Sequence, residues 1–143
     1  MSAITLEQAR TIIAGALDEG RRRGLAPMSV VVLDGGGHVK AFEREDGASN
    51  LRFEIAHGKA HGALGMGVGS RAIMARAEQQ PTSIAAVTAA FGGALIPVPG
   101  VALIIGAQQA IIGAVGVTGD SSDSDEATVV AGFEAAGFQA RTD

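Results

Sequence analysis

The chain opens with apolar residues at helical spacing. Four of them recur three or four residues apart: Leu6, Ala9, Ile13 and Ala16. Thr5 followed by Gln8 has the spacing of a capping box, in which each residue satisfies a free donor at the helix start. The pattern therefore predicts a first helix that begins after Thr5 and ends between Arg21 and Gly24.

The spacing then changes to that of a β-hairpin. Residues 28–33 (MSVVVL) form a β-branched run, which predicts a nearly fully buried strand. The sequence Asp-Gly-Gly-Gly at 34–37 predicts a tight turn, and residues 38–43 (HVKAFE) the returning strand. We expect the buried side of this hairpin to carry Val31, Leu33, Val39 and Ala41.

Residues 50–69 (NLRFEIAHGKAHGALGMGVG) hold two of the three histidines and a second helical pattern. Ser49 or Asn50 is expected to cap this helix, and the glycines at its far end predict that it stops near Met66. An apolar stripe should run along it through Phe53, Ala60 and Leu64. Glu54, His57 and His61 lie along one edge of the stripe, and Arg52 and Lys59 along the other.

The second half of the sequence predicts shorter helices and strands. Helices are expected at 71–79 and 81–90, a loop at 92–100, and strands at 101–105 and 110–117. The last helix should cover 125–136, opened by the pair Ser122/Asp125 or Asp123/Glu126. The order is α-β-β-α-α-β-β-α. Strands joined by tight turns predict an antiparallel sheet with helices packed on it, an α+β fold in one domain spanning 1–143.

Composition narrows the functional classes. Hydrophobic residues make up 47% of the 143 positions, yet no run of 18 is apolar, which argues against a membrane span. Such apolar excess is typical of a buried subunit interface, so we expect a homo-oligomer. The formal charge of −4 gives no reason to expect nucleic acid. Zero cysteines, with no signal-peptide pattern at the N-terminus, lead us to expect a cytoplasmic protein.

The imidazole edge of the central helix suggests metal chemistry. The spacing Glu54-x-x-His57-x-x-x-His61 puts three candidate ligands of a divalent metal on one helical edge. Either histidine could equally be an axial ligand of haem iron. The alternative is that all three are partly exposed polar residues beside an apolar stripe.

The cationic edge suggests binding of a carboxylate. Arg44, Arg52 and Lys59 could hold one together, assisted by the free amides at the helix start, and Asp46 lies in the same loop as Arg44. A surface salt-bridge network explains this loop equally well, with Arg44 facing its acidic neighbours.

Residues 113–126 (GAVGVTGDSSDSDE) join a glycine-rich strand end to an acidic helix start. The segment matches neither a Walker loop nor an EF-hand loop. Helix capping accounts for Ser122, Asp123 and Asp125, whereas Asp120 remains a candidate acid of a pocket.

Four motifs in order carry a family resemblance: VVVLDGGGHV, RxDGA, EIAHGKAHGA and IIGAVGVTGDSSDSDEATVVAG. Together they resemble the GlcG/HbpS-like haem-binding family, which includes the PduO C-terminal domain. The resemblance implies a five-stranded antiparallel sheet, oligomers up to octamers, and haem binding or a catabolic role. Its matched polar and glycine positions are Arg44, Asp46, Lys59, Gly119, Asp120 and Asp125.

The chain departs from the family pattern at two places. His61 stands where a tyrosine is usual, and residues 99–102 (PGVA) stand where the family has Gly-Gly-Val-Pro. Both places would border the cleft of the family, so His61 is the position most individual to this chain.

Two functions remain open at this point. The first is an oligomeric protein, dimer to octamer, that binds haem or a small organic ligand in a cleft lined by the 50–69 helix. The second is a small catabolic enzyme acting on an organic acid, including aromatic-derived acids. There His57 or His61 would act as general acid or base, while Arg44 and Lys59 hold the carboxylate. A structural assembly protein is a third, weaker hypothesis.

Overall fold

The computed structural model describes residues 3–143. Helix α1 spans Leu6–Arg22, and its predicted capping box is present. The Thr5 hydroxyl accepts from the Gln8 amide at 3.1 Å, and the Gln8 side chain accepts from the Thr5 amide at 2.9 Å. The chain leaves α1 through Gly24, whose φ of 69° lies in the left-handed region that favours glycine.

Five strands form one antiparallel sheet in the order β2-β1-β4-β3-β5. They are β1 (Ser29–Asp34), β2 (Val39–Arg44), β3 (Val101–Ile105), β4 (Ile111–Thr118) and β5 (Ala140–Arg141). Every neighbouring pair runs antiparallel. The α+β class and the five-stranded sheet are thus confirmed. The predicted order did not include β5, because a strand of two residues is too short to produce an alternating pattern of apolar and polar positions.

Four further helices complete the fold: α2 (Arg52–Met66), α3 (Ser70–Gln79), α4 (Pro81–Ala90) and α5 (Ser122–Ala136). The separate helices predicted at 71–79 and 81–90 are both present, so the order α-β-β-α-α-β-β-α lacks one of the five α-helices that residues 3–143 form. As predicted, α2 ends at Met66, where Gly67 adopts a φ of 74°.

The sheet separates two apolar clusters. On one face, α1 and α5 pack on Val30, Val32, Val115 and Val117. On the other face, α2, α3 and α4 pack on Val31, Leu33, Leu103 and Ala114. The two faces of the central strands are therefore both buried, which explains the continuous apolar sequence of β1 and β4.

The predicted buried side of the hairpin was right for Val31 and Leu33 and wrong for Val39 and Ala41. Val31 lies opposite Phe42, and Val32 lies opposite Ala41. Ala41 consequently packs on the α1 face and Phe42 on the α2 face, while Val39 remains 48% exposed. A shift in register between Val32 and Leu33 marks a bulge, and a one-residue change in register exchanges the faces of all side chains.

Two helix starts also differ from the predicted ones. The N-cap of α5 is Ser121, whose hydroxyl accepts from the Ser124 amide at 3.2 Å, so the predicted pairs beginning at Ser122 and Asp123 were wrong. Helix α2 begins after Leu51, without a side-chain cap. Ser49 instead accepts a hydrogen bond from the Arg52 guanidinium at 3.1 Å.

Close contact with β4 fixes the position of α2. A Cβ atom added at Gly116 would overlap the Ala56 carbonyl of α2 and lie 3.1 Å from the Ala60 Cβ. Glycine at this position lets the helix approach the strand backbone directly. Within residues 3–143, no helix combines the length and the apolar character needed to cross a lipid bilayer.

Candidate functional site

Five aromatic rings form a continuous row along the outer edge of α2. Phe53, His57 and His61 stack at successive turns, with ring centroids 5.6 Å and 5.2 Å apart. Phe42 of β2 closes one end of the row at 4.9 Å, and Phe91 closes the other at 5.5 Å, both edge to face. We call Phe42, Phe53, His57, His61 and Phe91 the ring row. Such contacts hold the two imidazoles in defined orientations.

His61 is tied to the loop that follows α4. Its Nδ1 lies 3.1 Å from the Ala94 carbonyl oxygen. Because a carbonyl only accepts, Nδ1 carries the proton in this bond and Nε2 keeps the lone pair. A Cβ added at Gly37 would lie 3.8 Å from that Nε2, so the hairpin turn lies close to this nitrogen.

The loop after α4 packs directly on α2, which explains why α2 contains glycines. A Cβ atom at Gly58 would lie 2.8 Å from the Ile96 side chain, and one at Gly62 would lie 2.8 Å from that of Leu95. The Ile96 amide also donates to the Gly58 carbonyl at 3.1 Å. Glycine and His61 together allow this loop to lie directly on α2, which is a packing role.

His57 has no comparable attachment. Its ring is half-buried between those of Phe53 and His61, and neither of its nitrogens forms a hydrogen bond with any residue from 3 to 143. Burial, and to a smaller extent the charge of His61, lowers the pKa of His57 from its ordinary value of 6.5. His57 is therefore a neutral imidazole at neutral pH.

The predicted three-ligand metal group is not assembled. Glu54 is exposed on the first turn of α2. In the described part of the chain, no three histidine, aspartate or glutamate side chains are placed to hold a metal ion together. The row of Glu54, His57 and His61 on one helical edge thus provides two neighbouring imidazoles only.

Lys59 is buried on the opposite side of α2, with 2% of its surface exposed. Its Nζ donates to the Val117 carbonyl at 2.9 Å and to the Asp125 carboxylate of α5 at 3.2 Å. Burial lowers the pKa of Lys59 against the effect of Asp125, and burial raises the pKa of Asp125 against the effects of the Asp120 amide and Lys59. Lys59 thus lies across α2 from the histidines, as predicted, but it is buried in an ion pair and does not line an open edge.

Asp120 and Gly119, in the connection between β4 and α5, contact the backbone of neighbouring segments. Asp120 accepts from the Ala26 amide at 2.9 Å and from the Ser121 amide at 2.8 Å, and these bonds lower its pKa. A Cβ at Gly119 would overlap the backbone of Pro27 and Met28. Both residues, and Asp125 with them, dock this turn against the start of β1.

Arg44 and Arg52 converge on the loop between β2 and α2. Arg44 donates to the Ala48 carbonyl at 2.8 Å, and Arg52 donates to Ser49 at 3.1 Å and to Thr118 at 3.0 Å. Thr118 gives no sequence signal, because its role depends on pairing between β1 and β4. Asp46 lies apart from Arg52, on a groove of about 420 Å³ between α1 and the end of β2.

Arg44 lines this groove beside Glu43, Glu45 and Asp46, but within residues 3–143 it forms none of the predicted salt bridges with them. Glu45 pairs with Arg21 of α1 at 3.2 Å and accepts from the Met28 amide at 2.9 Å. A second groove of about 330 Å³ lies beside β5. Neither groove is lined by His57 or His61.

Comparison with known proteins gives a family and a fold. A family model described as haem degrading protein HbpS-like matches residues 4–134. A search of curated proteins finds no match. A crystal structure of HbpS is 27% identical, with a TM-score of 0.79, covering 94% of this chain and 90% of that one.

Two more distant structures share the fold alone. The crystal structure of a PduOC–heme complex is 18% identical, with a TM-score of 0.85, over 97% of this chain and 99% of that one. Klebsiella pneumoniae protein ORFY is 23% identical, also with a TM-score of 0.85, over 96% of this chain and 92% of that one.

Proposed function

The chain belongs to the HbpS-like family, as its four motifs predict, and on this premise we propose that it binds haem with His57 as the iron ligand. The description of the family names haem, and the PduOC structure that shares this fold is a heme complex. Histidine is a common axial ligand of haem iron. The proposal therefore requires an available imidazole, and the ring row contains one.

The single observation that carries the proposal is the state of His57. An imidazole binds a metal through a neutral nitrogen with a free lone pair. Burial keeps His57 neutral by lowering its pKa, and its nitrogens have no hydrogen-bond partner among residues 3–143. The rings of Phe53 and His61 orient it from both sides.

His61 has a different role in this proposal. Its Nδ1 is bonded to Ala94, and its Nε2 faces the turn at Gly37. His61 therefore has one nitrogen engaged, whereas neither nitrogen of His57 forms a hydrogen bond among residues 3–143. We therefore propose that His61 positions the His57 ring and residues 94–96. From the sequence alone, His61 was the first candidate for a reactive residue.

The ring row also bears on the oligomer. In a single chain, a porphyrin bound at the row would have one protein wall, and among residues 3–143 Val39 and Leu51 are large apolar residues left exposed. We propose that a second copy of the chain supplies the other wall, in keeping with the homo-oligomer expected from composition. When bound, haem would supply redox-active iron, whereas the chain's own residues orient the group and exclude water.

The enzymatic alternative has less support from the geometry. It needs Arg44 and Lys59 to hold one carboxylate beside the histidines. Lys59 is instead buried against Asp125, while the ring row occupies the other edge of α2. No observation on the histidine edge indicates a place for an organic acid.

Haem titration tests the proposal. Wild-type protein and His38→Phe should give the same saturable Soret shift, because His38 is 83% exposed on the hairpin and outside the ring row. His57→Phe, which keeps an aromatic ring in the row, should lose the imidazole-ligated spectrum. A wild-type protein that leaves the haem spectrum unchanged would contradict the proposal.

A further inference from the structure

We infer that the chain has a second binding site, for the oxyanion group of a small molecule, between Arg44 and Arg52 where α2 begins. The chemistry recognised is a carboxylate or a phosphate, which offers several oxygen acceptors to guanidinium groups. This site uses none of the ring row. Its existence is therefore independent of haem binding.

The strand register places the polar residues of this site side by side. Ser29, the first residue of β1, lies opposite Arg44 of β2 on one side and opposite Thr118 of β4 on the other. Residues directly opposite in an antiparallel pair project from the same face. Val31, two residues along, packs on the α2 face, so all three project toward the start of α2.

An orphaned hydroxyl lies in the middle of this arrangement. Ser29 is fully buried, and its Oγ has no hydrogen-bond partner in the described residues. On either side of it are Arg44 and the Thr118 hydroxyl that accepts from Arg52. Buried hydroxyls are normally satisfied, and an unsatisfied one beside two guanidiniums indicates a missing acceptor or donor.

The two guanidiniums carry charge that is not paired directly with a carboxylate, although Arg44 shares a groove with Glu43, Glu45 and Asp46. Within residues 3–143, neither Arg44 nor Arg52 forms an ion pair, and the oxygens they contact are those of Ala48, Ser49 and Thr118. Arg21 differs, because its guanidinium forms ion pairs with Asp18 and Glu45. The pattern at α2 is that of donors held ready for an anion.

The buried amine of Lys59 is close enough to sense the charge of Arg52. Burial chiefly lowers the pKa of Lys59, Asp125 raises it, and the Arg52 charge lowers it by a smaller amount. Asp125, the acid closest to that amine, is already hydrogen-bonded to it and to the Asp120 amide. The N-terminal amides of the 15-residue α2 also face this end of the molecule.

When an oxyanion binds, its oxygens become hydrogen-bond acceptors for the two guanidinium groups. Each guanidinium has five N–H donors, of which Arg44 uses one group and Arg52 two. An oxyanion can accept from the remaining donors or replace the neutral oxygens of Ala48 and Ser49. Hydrogen bonds between two charged groups are stronger than those to neutral oxygens, so the exchange is favourable.

Calorimetric titration at constant ionic strength tests this site, with acetate and inorganic phosphate in separate arms. Wild-type protein should bind one of the two saturably, and the arm that responds identifies the oxyanion. Arg52→Gln and Arg44→Gln should each weaken that binding at least tenfold. Arg52→Lys, which keeps the charge and loses the fork, separates a binding defect from a folding defect if Arg52→Gln does not fold.

Two controls make the result specific. Arg76→Gln removes an exposed arginine of α3 that has no ion pair in the described residues, and it should bind as wild type does. His57→Phe should also bind as wild type, which separates this site from haem binding. The inference is overturned if neither ion binds saturably, or if Arg76→Gln weakens binding as much as Arg52→Gln does.

Discussion

The Nζ of Lys59 lies 3.2 Å from the Oδ2 of Asp125, and this buried ion pair connects helices on opposite faces of the sheet. Lys59 belongs to α2 and Asp125 to α5, so the pair passes the end of the sheet where β3 begins and β4 ends. A Cβ at Gly100 would lie 2.8 Å from Nζ, so glycine at the start of β3 leaves room for the amine. The pair ties α5 to α2, the helix on which both candidate sites lie.

Removing one partner of this pair should destabilise the fold. Lys59→Met leaves a buried carboxylate without its cation, and breaking a buried pair in this way costs about 3–5 kcal/mol. Urea unfolding followed by circular dichroism measures the loss. Asp18→Asn, which removes an exposed partner of Arg21, should cost less than about 1 kcal/mol.

The double variant Lys59→Met with Asp125→Leu should recover part of that loss, because no charge is then left buried. Recovery should be incomplete, since Asp125 also accepts from the Asp120 amide at 3.0 Å. Equal stability of Lys59→Met and wild type would show that the pair does not hold the layers together.

The stability of the fold should fall on mild acidification because of His57. Burial lowers the pKa of His57, so below pH 6.5 the unfolded chain binds a proton at this ring more readily than the folded chain does. The stability contributed by neutral His57 is thus present above pH 6.5 and lost as the pH falls through the lowered folded pKa.

Unfolding free energies at pH 7.5 and pH 5.5 measure this dependence. His57→Phe should reduce the difference between the two pH values, whereas His38→Phe, which removes an exposed histidine, should keep it. A difference unaffected by His57→Phe would assign the pH dependence to other groups.

Gly116 should not tolerate a side chain. Gly116→Ala would force its Cβ against the Ala56 carbonyl, and α2 would have to move away from β4. Overpacking of this kind costs about 1–3 kcal/mol. Gly35→Ala is the matched control, because its Cβ would make only an ordinary contact 3.5 Å from the Ile112 oxygen. Thermal unfolding of both variants decides the point, and equal midpoints would contradict the close packing of α2 on β4.

Local signals predicted the elements whose causes are local. Thr5 and Gln8 form their capping box three residues apart, and Gly67 and Pro81 act on the helix ends next to them. The apolar run of β1 predicts its burial for the same reason. Ser121 and Ser122 show the limit of this approach, because either serine could cap α5 and only the turn geometry selects the first.

Residues whose roles depend on distant partners were not predicted. Lys59 lies 66 positions from Asp125, and helical periodicity alone placed it at a polar edge. His61 meets Ala94 through a loop without regular structure, which left its packing role without a sequence signal. The position of Phe42 depends on the bulge beside Val32, which a strict alternation of faces does not contain.

The most direct test of haem binding through His57 compares two variants that differ only in which nitrogen donor is removed. His57→Phe and His61→Phe both keep aromatic rings in the row, and each is titrated with ferric haem while the Soret and visible bands are recorded. We expect the imidazole-ligated spectrum to be lost in His57→Phe and retained in His61→Phe. Retention of that spectrum in His57→Phe would contradict the account.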